Sequence, residues 1–180
     1  LIEFVKDKNL ENYYWFNDND KETQKRVVIY YTNGNIDYEK YISNNVLHRE
    51  GDKPAYISYY KNGNVYAEAY YLNGKCSCKN DKPARIEYYE NGNIRCETYY
   101  IDNKKHREGD KPAYIQYDKN GNIFLEIYFF NDKLHREGDK PAYIKYYPNG
   151  NIKYEIYLLN GQYHRDDKPA KIEYDYKGRI

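Results

Sequence analysis

Ala55-Tyr56-Ile57-Ser58-Tyr59-Tyr60-Lys61-Asn62-Gly63-Asn64-Val65-Tyr66-Ala67-Glu68-Ala69-Tyr70-Tyr71-Leu72 reads as a strand, a tight turn and a second strand. The loop length follows from side-chain faces. A two-residue Asn-Gly loop would set Ile57 opposite Glu68, an apolar column against an acidic one. A three-residue Lys61-Asn62-Gly63 loop sets Tyr59 opposite Val65, Ile57 opposite Ala67 and Ala55 opposite Ala69, which makes one face uniformly apolar. The three-residue loop is therefore expected, built as a type I turn followed by a left-handed glycine. Pro148-Asn149-Gly150 fits the same turn, because proline's fixed φ suits its first central position.

Outward from this hairpin the pattern recurs about every 29 residues. Gly34, Gly63, Gly92, Gly121 and Gly150 mark the turns, and Pro54, Pro83, Pro112, Pro141 and Pro169 mark the entry to each new strand. A period of this length means a stacked array of small supersecondary units. Between hairpins lie an Asn73-Gly74-type turn and a connector such as His48-Arg49-Glu50-Gly51-Asp52-Lys53-Pro54. No segment has a helical period. The predicted fold is all-β, an elongated single antiparallel sheet of tandem β-hairpins, with His106-Arg107 and its equivalents extending the sheet. Residues 1–24, including Tyr13-Tyr14-Trp15-Phe16, are expected to form a degenerate first repeat or a cap, and residues 25–180 the array: five full units and a truncated one.

Composition narrows the function classes. Of 180 residues, 29 are Lys or Arg and 28 Asp or Glu, so a net charge of +1 supplies no bulk attraction to nucleic acid or anionic lipid. No apolar run suggests a membrane span, and Leu1-Ile2-Glu3-Phe4-Val5-Lys6 lacks the layout of a signal peptide, which points to a soluble, cytoplasmic protein. With no Met in the chain and Gly178-Arg179-Ile180 stopping within a repeat, a fragment or processed piece is expected. Cys76, Cys78 and Cys96 do not follow the period, so they are read as free or core thiols in a reducing compartment.

The columns assign a buried face to Ile57, Ile86, Ile115, Ile144 and Ile172 with Tyr59, Tyr88, Tyr117, Tyr146 and Tyr174. A wet, tyrosine-rich face is assigned to Tyr56, Arg85, Tyr114, Tyr143 and Lys171, to Ser58, Glu87, Gln116, Lys145 and Glu173, and to the repeated Glu39, Glu68, Glu97, Glu126 and Glu155 and Tyr41, Tyr70, Tyr99, Tyr128 and Tyr157. An apolar face of this size must curl over itself, be covered by chain, or meet a second copy.

The string Tyr-x-x-Asn-Gly-x-x-x-x-Glu-x-Tyr, continued by Asn131, Lys133 and His135 in the unit that starts at Tyr117, resembles the MORN repeat and its bacterial YwqK-type relatives. It is also similar to His-Arg-rich tandem repeats of giant-virus and phage proteins, and the abundance of Asn, Lys, Ile and Tyr fits an A/T-rich genome. The resemblance covers about residues 25–180. It implies stacked β-hairpins serving as a scaffold, a dimerisation module or a lipid- or protein-binding surface. The family unit is shorter, and its His-x-Gly pair is here replaced by His48-Arg49-Glu50-Gly51-Asp52.

Catalysis has little footing. Ser43, Ser58 and Ser77 do not recur, and acids at one per unit would lie about 9–10 Å apart, too far for a shared general acid and base on an open sheet. The same spacing prevents His48, His106, His135 and His164 from sharing a metal, whose ligands must come within about 2.0–2.3 Å. Arg49, Arg107, Arg136 and Arg165 are expected to bridge Asp52, Asp81, Asp110, Asp139 and Asp167 of their own or the adjacent connector, with anion capture as the second reading. No catalytic residue, cofactor, metal or small-molecule substrate is expected. The expected binding residues are Tyr56, Tyr60, Arg85, Tyr114, Tyr143, Lys145 and Tyr147 on the tyrosine-rich face. The first reading of function is a non-enzymatic scaffold for a protein partner or for self-association, a structural part of a viral or bacterial complex, in host cytoplasm or virion if viral. The alternatives are a platform for single-stranded nucleic acid, in which rings stack on bases, and a YwqK-type antitoxin or immunity-like binding protein.

Overall fold

The structure is a computed structural model that describes residues 14–17, 24–77 and 80–180. The expected first repeat or cap thus lies outside the described residues, apart from residue 24 and the strand Tyr14–Asn17, which pairs antiparallel with Lys25–Tyr30 at one edge of the sheet. The described residues contain no helix.

Each unit builds its long hairpin from the sequence signals above. Tyr56–Tyr59 runs into the turn, and Val65–Ala69 returns. Gly63 N–H donates to the Tyr60 carbonyl at 2.9 Å and Tyr60 N–H to the Asn64 carbonyl at 2.8 Å, with Gly63 at φ +91°. That is the three-residue loop, closed by a residue in the left-handed region that glycine enters without steric cost. The hairpins Arg85–Tyr88 with Ile94–Thr98, Tyr114–Tyr117 with Ile123–Ile127, and Tyr143–Tyr146 with Ile152–Ile156 repeat it. Consecutive hairpins pair edge to edge, so twelve strands from Tyr14–Asn17 to Lys171–Glu173 follow one another in a single antiparallel sheet. At about 4.8 Å per strand the sheet extends about 53 Å across its strands.

The register departs from expectation just past the turn. Tyr59 faces Val65, but Ser58 faces Ala67, leaving Tyr66 as an extra, bulged residue. The same shift isolates Asp37, Arg95, Phe124 and Lys153. Beyond a β-bulge every side chain changes face relative to an unbroken ladder. Ile57 therefore sits opposite Glu68, not Ala67, and Ala69 faces Tyr56, not Ala55. The turn has three residues, yet the bulge restores the pairing that a two-residue loop would have made.

Two different faces result. One row across the sheet alternates acid and isoleucine: Glu39, Ile57, Glu68, Ile86, Glu97, Ile115, Glu126, Ile144, Glu155, Ile172. The expected uniformly apolar face is absent, so the expected need to curl it, cover it or pair it with a second copy falls away. Small residues are instead sealed by longer neighbours in the plane of the sheet: Ala55, Ala67, Ala84, Ala113 and Ala142 are fully buried. Tyr99, Tyr128 and Tyr157, assigned to the wet face from sequence, are buried as well.

Past the long hairpin the chain makes a second, short one. Tyr71–Leu72 pairs with Lys75–Cys76 around Asn73 and Gly74, both at positive φ (50° and 76°), the signature of a type I′ turn. Successive short hairpins are tied by single backbone bonds, Gly74 N–H to the Leu47 carbonyl and Gly161 N–H to the Leu134 carbonyl, both at 2.8 Å. They form their own two-stranded ladders, and His106-Arg107 does not extend the main sheet as expected; His106 makes one backbone bond, to the Tyr99 carbonyl at 3.2 Å. The left-handed Gly109 and Asp110 turn the connector away before it can pair.

Candidate binding face

The face that carries Ile57, Tyr59 and Glu68 is nearly identical from unit to unit, and its polar groups join the units together. The Tyr88 hydroxyl donates to Glu68 at 2.8 Å, Tyr117 to Glu97 at 2.9 Å, Tyr146 to Glu126 at 2.5 Å and Tyr174 to Glu155 at 2.8 Å, while Tyr59 donates to Glu39. Each bond crosses from one unit to the next. Burial, and then the carboxylate at its hydroxyl, raises the pKa of every one of these tyrosines, that of Tyr174 to about 12. Burial opposes the charge on Glu39, but hydrogen bonds from Tyr59 and Arg26 outweigh it and hold its pKa low.

The connectors are clamped as anticipated, and the bridge runs to the adjacent unit. Asp81 receives Arg107 Nε at 2.6 Å and Lys111 Nζ at 2.6 Å; Asp110 receives Arg136 and Lys140, and Asp139 receives Arg165 and Lys168. The guanidiniums also lie over rings, Arg107 over Tyr99 at 3.6 Å and Arg136 over Tyr128 at 3.7 Å, and donate to the carbonyls of Pro112 and Pro141. With its charge and planar fork both engaged, this arginine row does not present the open cation that anion capture requires. The Arg136 and Lys140 contacts pull the Asp110 carboxyl down to about 2, and Asp81 and Asp139 are lowered by the same kind of neighbours. The groove of about 710 Å³ between two connectors is lined by these clamped residues together with His106, His135, Phe129 and Phe130.

Two of the histidines serve the short hairpins: His48 Nδ1 accepts the Asn73 N–H at 3.0 Å and His135 Nδ1 the Asn160 N–H at 3.2 Å. Among the described residues no three His, Cys, Asp or Glu side chains converge as a metal site would require. Cys96 is buried like Ala67 and Leu125 at the equivalent positions of the neighbouring units, and burial pushes its thiol up to about 11. Cys76 is buried, its thiol 3.7 Å from the Ala84 carbonyl; Cys78 lies outside the described residues.

The opposite face varies along the array. Its two rows across the sheet are Tyr56, Ala69, Arg85, Thr98, Tyr114, Ile127, Tyr143, Ile156, Lys171 and Ser58, Ala67, Glu87, Cys96, Gln116, Leu125, Lys145, Tyr154, Glu173. The bulged residues join them: Arg95 reaches Glu87, and Lys145 lies over the Phe124 ring at 4.8 Å. Of the binding residues expected from sequence, Tyr56, Arg85, Tyr114, Tyr143 and Lys145 lie together on this face, all half-buried. The charge of Arg85 is taken up by Glu87 at 3.0 Å. Tyr60 and Tyr147 lie beside the turns, where their hydroxyls donate to the carbonyls of Tyr88 (2.7 Å) and Tyr174 (2.9 Å) and so brace the next unit. Lys153, expected from sequence beside the rings of this face, lies there, and with it come Phe124, Ile127, Tyr154 and Ile156, residues that sequence reasoning did not place there. Their signal was variation at fixed positions of the period, beside columns that never vary.

Fold and ties together define a tandem β-hairpin repeat protein. Residues 55–73, 84–102 and 142–160 match the family model for the MORN repeat variant, each match running from the alanine before a long hairpin to the first residue of the short turn. The tandem hairpins are thus consistent with a MORN-like repeat protein, and MORN repeats are generally associated with protein- and membrane-binding scaffolds. No curated protein and no solved structure matches the chain.

Proposed function

We propose that this chain is a non-enzymatic scaffold that binds a protein partner through its variable face. One observation carries the reading: positions on the uniform face keep their identity from unit to unit and bind the units to each other, whereas positions on the opposite face vary in chemistry along the array. Stacking alone asks for no such variation, and a surface that reads a partner does. Half-buried tyrosines and aliphatics suit protein contact, since they give large rigid contact area at low entropic cost. The test is a pull-down from the native source with the intact chain, with Tyr143→Ser/Lys145→Ser and Lys61→Ser variants beside it. The same protein should be retained by the wild type and by the turn variant and lost from the face variant. Equal retention by all three would remove the variable face from the account.

A further inference from the structure

Chemistry is not spread evenly along the variable face. Around Glu87 its charges are paired within the sheet, Glu87 taking both Arg85 and Arg95. Beyond that point the row Tyr114, Ile127, Tyr143, Ile156 is half-buried and free of charge, and it runs directly into Lys171. Lys145 and Lys153 flank it. No carboxylate lies within ion-pair distance of these three lysines among the described residues; their ammonium groups rest on rings instead, Lys145 on Phe124 at 4.8 Å, Lys153 on Tyr154 at 5.2 Å and Lys171 on Tyr154 at 5.5 Å. None of the three is held in an ion pair, and Glu173 is the one acid on these rows beyond Glu87, so positive charge is in excess here.

Resting on the protein-binding reading above, we propose that this C-terminal half of the variable face docks an extended acidic segment of the partner. Its apolar side chains would lie along the Tyr114 to Ile156 row and its carboxylates against Lys145, Lys153 and Lys171. The five strands from Tyr114–Tyr117 to Lys171–Glu173 span about 19 Å, the length of about six residues of extended chain. Charge complementarity selects an acidic occupant, and the apolar row selects a polypeptide over a polyanion. Three lysines neutralise only about three phosphates, too few for firm nucleic-acid binding at physiological salt, and phosphates gain nothing from isoleucine.

The probe is a displayed library of random twelve-residue peptides, panned on the immobilised full chain and on a K145E/K153E/K171E variant whose thermal melt matches the wild type. The wild type should enrich peptides that combine apolar residues with Asp or Glu. Their affinity should fall about tenfold or more on the variant, the usual scale for several rim charge pairs. Replacing the peptide's acids by lysine should recover binding to the variant. Enriched peptides without acids, or acidic ones that bind both proteins equally, would overturn this inference and leave the protein-binding reading standing. Failure to enrich any peptide, with the wild type but not the variant binding labelled oligo(dT) or phosphatidylserine vesicles, would assign the patch to nucleic acid or membrane instead. Failure of every probe would sink both readings.

Discussion

At the scale of single residues, the tyrosine hydroxyls hold the array. Tyr117→Phe keeps the ring and removes only the donor to Glu97, leaving a partly buried carboxylate short of a partner; urea unfolding should show a loss of about 1–2 kcal/mol. The connector aspartates make stability depend on acid. The Asp110 pKa is lowered to about 2 in the folded chain, by Arg136 first and Lys140 second, against about 4 when unfolded. As pH falls the unfolded chain therefore takes up its proton first, so the clamp's contribution is complete above about pH 4 and drains away toward pH 2. Circular dichroism across that range should show a shallower acid decline for D81N/D110N/D139N than for the wild type, from a lower starting stability. These clamps were legible in the repeated Arg, Asp and Lys of the connector. The Tyr–Glu bonds were not, because hydropathy sent both partners' columns to opposite faces.

At the scale of the element, the bulge decides what each face is. The turn could be read from Lys61-Asn62-Gly63 because glycine and the chain's reversal leave a chemical signature. The bulged column Asp37, Tyr66, Arg95, Phe124 and Lys153 leaves none: it has no glycine, no proline and no shared side chain. Sorting residues by hydropathy then paired Ile57 with Ala67, whereas sorting by constancy across units would have kept Ile57, Tyr59 and Glu68 together. Deleting Tyr66 should leave Ser58 opposite Ala67 and Ile57 opposite Glu68, and cost about 1 kcal/mol. Deleting Glu68 shifts Ala69 and Tyr70 to the wrong faces and should cost about 3 kcal/mol or more. Thermal melts of the two deletions distinguish a bulge from a plain ladder. Gly92→Ala, at φ +86° with no atom within 4 Å of the new Cβ, isolates the backbone cost of the turn, about 1 kcal/mol.

At the scale of the whole molecule, each hairpin touches only its neighbours, so stability is a sum of unit and interface contributions. Removing residues 84–112 joins equivalent connector positions and should give a shorter, still cooperative array with lower unfolding free energy, as measured by chemical denaturation. Removing one residue more or fewer breaks the period and should lose cooperativity. The array itself was legible because its period is written in glycines and prolines; the division into a holding face and a reading face needed the register. That register is tested most directly by interstrand nuclear Overhauser contacts in the labelled protein. The account predicts that Ile57 meets Glu68 on one side and Glu39 on the other, with Ile86 between Glu68 and Glu97. Contacts that place Ile57 opposite Ala67, with Tyr66 paired in an unbroken ladder, would contradict it.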